Sequence, residues 1–182
     1  PVSTNFFGTA TVPPGSRTHY LAIGRLVPYK RFDLLIEAAN ALKFPLKIAG
    51  KGQEEARLKA MAGPTVEFLG FVPDDALPSL YAGAKALLFP PYEDAGIVPL
   101  EAQACGTPVI AYGKGGALDT VKEGETGVFF TEQTVKSLSK AIERFETIRF
   151  EPGKIREHAE QFSEDKFKER IREAVERARR RE

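Results

Sequence analysis

Short apolar runs alternate along this chain with stretches in which apolar residues recur every three or four positions. The first kind reads as buried strand and the second as amphipathic helix. A strand is expected over 20–24, then a helix over 32–42 with Leu35, Ala38, Ala39 and Leu42 on one face. The alternation continues with a strand over 46–49, a helix over 54–61, a strand over 66–69 and a helix over 75–82 capped by Asp74. It goes on with a strand over 86–89, a helix over 97–105, a strand over 109–111, a helix over 117–122 and a closing strand over 128–130. From residue 133 the pattern is helical throughout, over 135–145, 152–161 and 164–181. Strands separated by helices imply βαβ units. The expected fold is therefore α/β: one parallel sheet of about six strands, helices on both faces, and C-terminal helices, the last from about residue 164. Residues 1–18 are rich in Pro, Gly, Ser and Thr without periodicity, and read as a linker ahead of a domain spanning 19–182.

Composition narrows the chemistry. A chain of 182 residues fits one large domain. It can bury roughly 70% of its unfolded surface without disulfide or metal support. The net charge of +1 gives no reason to propose nucleic acid as a partner. One cysteine, Cys105, excludes an internal disulfide, and two distant histidines, His19 and His158, speak against zinc. No apolar run reaches the ~18 residues of a membrane span, and no signal-peptide pattern opens the chain, so the cytoplasm is the expected location.

In open parallel α/β sheets, ligands sit outside the carboxyl ends of the strands. The glycines and charges of this chain gather there. Gly24, Arg25 and Lys30 follow the first strand, Gly50 and Gly52 the second, Glu93 and Gly96 the fourth, and Gly113, Gly115 and Gly116 the fifth. Arg25 can fork two hydrogen bonds to phosphate, and Lys30 adds a mobile point charge. The plainer reading of both is a solvated basic loop. Gly96 opens a helix, where unpaired N–H groups can hold an anion. Glu93 and Glu101 flank that opening, and carboxylates suit sugar hydroxyls, which donate hydrogen bonds. Glu101 sits among Ile97, Leu100, Ala104 and Cys105, where a carboxylate needs a partner that a ribose would supply. The competing reading places it on the outward face of its helix. The combination suggests a nucleotide-sugar site.

Two carboxylates could also serve hydrolysis, but a hydrolase has no need of the convergent phosphate-binding features. Cys105 lies at the C-terminal end of its helix with no histidine nearby in sequence, and reads as a packing residue. The Gly113–Gly116 segment could let backbone approach a ligand. The basic stretch from Arg177 to Arg181 complements a helix C-terminus.

These residues resemble the C-terminal, donor-binding half of retaining glycosyltransferases of the GT-B fold, in the large family 4. The matching pieces are G-R-L-V-P-Y-K-R at 24–31, G-K-G at 50–52, V-E-F-L-G-F-V at 66–72, E-D-A-G-I-V-P-L-E-A at 93–102 and G-T-P-V-I-A-Y-G-K-G-G at 106–116. The wording looks most like bacterial and archaeal mannosyltransferases that use GDP-mannose. The resemblance implies a Rossmann-like domain forming half of a GT-B fold, with no cofactor or metal. It implies diphosphate binding by Arg25 and Lys30, with Gly24 and Gly50 beside them, and sugar binding by Glu93. It further implies backbone contacts from Gly96, Ile97 and Val98, ribose binding by Glu101, and a base bordered by the backbone near Val72. Ala95 stands where an aromatic residue is usual, Asp119 where Glu is frequent, and Lys51 where an acidic or small residue is frequent. The acceptor-binding half of such enzymes has no counterpart in these residues, and through that half contact with the inner face of the membrane is an option. Against a transferase half stand two other readings: a non-catalytic nucleotide-binding module or engineered fragment, and a GT-B epimerase or phosphorylase-like enzyme.

Overall fold

Along the first strand, His19–Ile23 (β1), Tyr20 and Ala22 turn to one core while Leu21 turns to the other. The same two-sided burial recurs in Ala84–Phe89 (β4), where Ala86 and Leu88 face one core and Leu87 and Phe89 the other. A strand apolar on both faces must be covered on both. The computed structural model, which describes residues 1–10 and 16–180, shows how. Between and beyond these strands lie Phe32–Leu42 (α2), Leu46–Ala49 (β2), Glu55–Met61 (α3), Val66–Gly70 (β3) and Leu77–Ala82 (α4). After β4 come Ile97–Ala104 (α5), Val109–Tyr112 (β5), Ala117–Thr120 (α6), Gly127–Phe130 (β6), Val135–Glu146 (α7), Pro152–Glu160 (α8) and Glu164–Arg179 (α9). The six strands form one parallel sheet in the order β3-β2-β1-β4-β5-β6. One core packs α2, α3 and α7 through Leu34, Leu35, Leu58, Leu138 and Phe145. The other packs α4, α5, α6 and α8 through Tyr81, Leu100, Ala117 and Ala159.

Where the elements differ from the sequence reading, local chemistry explains it. The helix expected over 75–82 divides into a 3-10 turn, Asp74–Ala76, and α4. Pro78 lacks an N–H and fits only the first turn of an α-helix, so α4 starts just before it. Asp74 makes no capping bond. The segment 1–10 is not a bare strap: Thr4–Phe7 forms a short helix (α1), and Val2 and Phe7 are buried. The Val2 amide donates to the Phe162 carbonyl and the Thr4 hydroxyl to Glu160. Residues 11–15 of the expected linker, and Arg181 at the end of the last expected helix, lie outside the described residues.

α9 stands apart. Ser163 caps it through the Lys166 amide, and its ion pairs, among them Lys166–Glu169 and Arg180–Glu176, are local. It buries no residue, and Phe167, Ile171 and Val175 form an exposed stripe along it. No helix among the described residues is long and apolar enough to cross a membrane.

Candidate functional site at the sheet's switch point

β1 is followed by strands added on one side of the sheet and β4 by strands added on the other. The two strands are parallel neighbours, with Tyr20 opposite Ala86. The chains leaving their carboxyl ends therefore part, which opens a crevice where α/β sheets hold their ligands. The loop after β1 brings Gly24, Arg25 and Lys30 to this point, and the loop after β4 brings Glu93 and Gly96.

The β1 loop is built to be stiff. Gly50, at φ 131°, lies so close to the Gly24 carbonyl that a Cβ there would overlap it. The Leu26 amide and carbonyl bond to Lys51 and Glu54, tying the loops after β1 and β2 together. A 3-10 turn over Pro28–Lys30 ends at Arg31 in the left-handed region, φ 53°. This turn lays the Lys30 stem over Gly24, and the Lys30 ammonium pairs with the Glu93 carboxylate across the crevice. Arg25 is exposed, and its side chain bonds to no described residue. Val72 follows β3, the outermost strand, two strands away from β1.

Lys30 is thus not a free surface charge, and the two cations should respond differently to truncation. Arg25→Ala removes an unpaired exposed side chain and should change stability by less than about 0.5 kcal/mol. Lys30→Ala leaves a mostly covered carboxylate, 19% exposed, without its partner. It should cost about 1–2 kcal/mol. Urea unfolding of the two variants checks the contrast, and equal midpoints would mean that the ion pair contributes nothing to the fold.

At α5 the chain offers hydrogen-bond donors. The Ile97 amide closes on the Ala95 carbonyl at 3.1 Å, while those of Gly96 and Val98 bond to no described residue. Pro99 has no N–H. Two open amides and a helix dipole make the start of this eight-residue helix electropositive. The Gly113–Gly116 loop approaches protein backbone. Gly115, at φ 64°, would overlap the Glu93 carbonyl if it carried a Cβ, and the Gly116 amide donates to that same carbonyl at 2.8 Å. These glycines let one loop seat the backbone of the other, so they position Glu93.

Glu101, in the second turn of α5, is half-buried, and its protein partner is Tyr81, which sequence reading missed. The Tyr81 hydroxyl donates to Glu101 Oε2 at 2.7 Å. A buried tyrosine needs a partner for its hydroxyl, but nothing in a spacing of 20 residues indicates which. Burial pushes the Glu101 carboxyl above its usual range, the Tyr81 hydrogen bond offsets part of this, and Asp74 adds to the rise. For a carboxyl whose folded pKa is raised, the folded state holds its proton more tightly than the unfolded chain does. Its charge therefore costs stability at neutral pH, and the cost disappears as pH falls through the raised pKa. Glu101→Gln keeps an acceptor for Tyr81 and removes the charge. It should melt at a higher temperature than the parent protein at pH 7, with the gap narrowing as pH is lowered. A lower melting temperature at pH 7 would contradict this.

Cys105 is buried, its thiol contacts the Phe7 carbonyl at 3.2 Å, and burial pushes it up to about 12, which leaves no thiolate at neutral pH. Among the described residues no group of three or more His, Cys, Asp or Glu could hold a metal ion.

Comparison with known proteins adds relatives. Over 146 residues the chain is 34% identical to a GDP-mannose-dependent alpha-(1-6)-phosphatidylinositol monomannoside mannosyltransferase of Mycolicibacterium smegmatis, covering 70% of this chain and 38% of that one. It is 33% identical to a glycogen synthase of Thermodesulfovibrio yellowstonii over 166 residues, covering 85% of this chain and 31% of that one. In three dimensions it matches a sucrose-phosphate synthase of Thermosynechococcus elongatus with a TM-score of 0.79 at 24% identity, over 100% of this chain and 52% of that one. An Anabaena protein crystallised with UDP and glucose matches with a TM-score of 0.77 at 22% identity, over 96% of this chain and 55% of that one. The chain spans about a third of the curated relatives' length and about half of the solved structures' length. The fold is accordingly that of one half of a GT-B glycosyltransferase. A family model described as glycosyl transferases group 1 matches residues 9–169, and with relatives this similar the chain belongs to that family.

Proposed function

We propose that this chain is the donor-binding half of a retaining family 4 glycosyltransferase, which holds a nucleotide sugar while a hexose passes to an acceptor. Three complementary features on the loops after β1 and β4 and on α5 support the reading: the Lys30–Glu93 pair, the open amides at the start of α5, and the Tyr81-bound carboxylate of Glu101 in its second turn. Phosphate suits the first cation and the amides. Hydroxyl donors of sugar and ribose suit the carboxylates.

In this reading Arg25 and Lys30 hold the diphosphate and stabilise the charge that develops as it departs. Glu93 accepts from hydroxyls of the transferred sugar. Gly96, Ile97 and Val98 line the phosphates and sugar with backbone, and of these Gly96 and Val98 have the free donors. Gly24 and Gly50 bring the first two loops close. Glu101 takes the ribose, and the backbone near Val72 borders the base at the far side of the sheet. The acceptor, and closure of the cleft over the donor, belong to a second half of the enzyme. Transfer of mannose from GDP-mannose is supported by the motif wording and by the mannosyltransferase relative. The glycogen synthase relative and the UDP-bound Anabaena protein make the base and the sugar the points to test.

A thermal-shift and calorimetric panel of GDP, UDP and ADP, each with and without its hexose, tests the reading. One diphosphate should bind weakly and raise the melting temperature, with no sugar released by this chain alone. If no member of the panel binds, or if binding is unchanged in Lys30→Ala, the reading is wrong.

A further inference from the structure

We propose that Tyr81 is a positioning residue for the nucleotide site: its hydroxyl holds Glu101 by Oε2 and aims Oε1 at a ribose hydroxyl. The inference rests on the donor-site reading above and extends it to a residue that contacts no ligand.

Tyr81 lies in α4, the helix that precedes β4, and Glu101 in α5, the helix that follows it. The tyrosine is 0% exposed. Its ring meets Phe7 edge-on at 5.9 Å, and its carbonyl accepts the fully buried Thr107 hydroxyl at 2.8 Å. Held at ring and backbone, the side chain cannot swing, so its hydroxyl is a fixed point. Glu101 has no such confinement, because a glutamate on a helix can turn its carboxylate about three torsions. Only Oε2 is bonded to a described residue, and that bond is to Tyr81. The bond therefore selects one carboxylate orientation and leaves the second oxygen unpaired.

Packing alone does not require this arrangement. A phenylalanine would fill the same ring space, and the hydroxyl has no other partner among the described residues. What the hydroxyl supplies is a charge-assisted hydrogen bond to a carboxylate withdrawn from water. Burial raises the Glu101 carboxyl and Tyr81 counters it, favouring the ionised form. An ionised carboxylate only accepts hydrogen bonds, which is the complement of a ribose diol. Setting that acceptor before the ligand arrives removes an ordering cost from binding.

The test uses the full 182-residue chain and whichever of GDP, UDP or ADP binds tightest, together with the 2′,3′-dideoxy form of that nucleotide. Tyr81→Phe should weaken the ribonucleotide about tenfold, the equivalent of losing one charge-assisted hydrogen bond, and weaken the dideoxy form by less than about twofold. In a Glu101→Ala background, Tyr81→Phe should add less than about twofold, because the group it positions is gone. A change in packing alone would affect both ligands and would persist in that background, so either of those results overturns the proposal. If Glu101→Ala loses affinity while Tyr81→Phe keeps it, the positioning role is wrong and the donor site stands. If Glu101→Ala also keeps full affinity, the ribose assignment itself fails, and the role of Tyr81 with it.

Discussion

Glu93→Gln is expected to shift two affinities in opposite directions: tighter for a plain nucleoside diphosphate, weaker for its sugar conjugate. In the free protein Glu93 already neutralises Lys30, and both side chains are mostly covered, at 14% and 19% exposure. An incoming diphosphate has to displace or share that contact and then sit beside a carboxylate. Glutamine keeps the shape and removes the competing charge. At the effective dielectric of a partly covered site the relief is modest, so plain diphosphate should bind about threefold tighter, and less so in high salt. The sugar conjugate gains the same relief but loses a charged acceptor for its hydroxyls. That loss is about 1.5 kcal/mol or more, roughly thirteenfold, and against the threefold relief it should leave the conjugate bound at least about fourfold more weakly than by the parent protein. Titration of both ligands at low and high salt reads the two signs directly. Parallel losses would mean that the carboxylate serves the nucleotide and not the sugar.

The largest effect on stability is expected from Gly50→Ala. Gly50 combines a φ of 131° with a backbone approach in which a Cβ would overlap the Gly24 carbonyl. Gly124 is a natural control: its φ is 77°, yet a Cβ there would meet nothing within 4 Å. Gly124→Ala should therefore show conformational strain alone, about 1 kcal/mol. Gly50→Ala adds a steric collision that only movement of the β1 and β2 loops can relieve, for a total of about 3 kcal/mol or more. In a domain of this size that corresponds to a melting temperature roughly 10 °C lower. Equal losses at the two positions would show that the loops yield to a methyl group without cost.

How much of this could be read from the chain depends on the range of the interactions. The alternation of apolar runs and helical stripes is local, and it predicts the six parallel strands and the helices between them. It also places the charged loops at one rim, because topology follows once βαβ units are recognised. Glu101's need for a partner was equally visible, since a carboxylate among apolar neighbours must be satisfied. The partner was not, because Tyr81 meets it through folding and not through periodicity. Lys30 looked like a free cation for the same reason: its pairing with Glu93 crosses from one βα loop to another. Gly115 and Gly116 show a different limit. Absence of a Cβ announces that something comes close without saying what, and at these two glycines the backbone of Glu93 and Asp94 does. Val2 and Phe7 bury themselves from a segment too short to show a period.

The exposed stripe of α9 has a consequence for how this chain unfolds. A helix that buries no side chain draws its stability only from capping, propensity and neighbouring ion pairs. Isolated helices of about this length are marginal in water. α9 should therefore melt over a broad range below the transition of the sheet and its covering helices. Far-ultraviolet circular dichroism would then report an early loss of helix that tyrosine fluorescence from Tyr20 and Tyr81, both in the core, does not follow. A single unfolding free energy for the whole chain is thus not well defined, and mutational effects in the site are better read from a probe of the core.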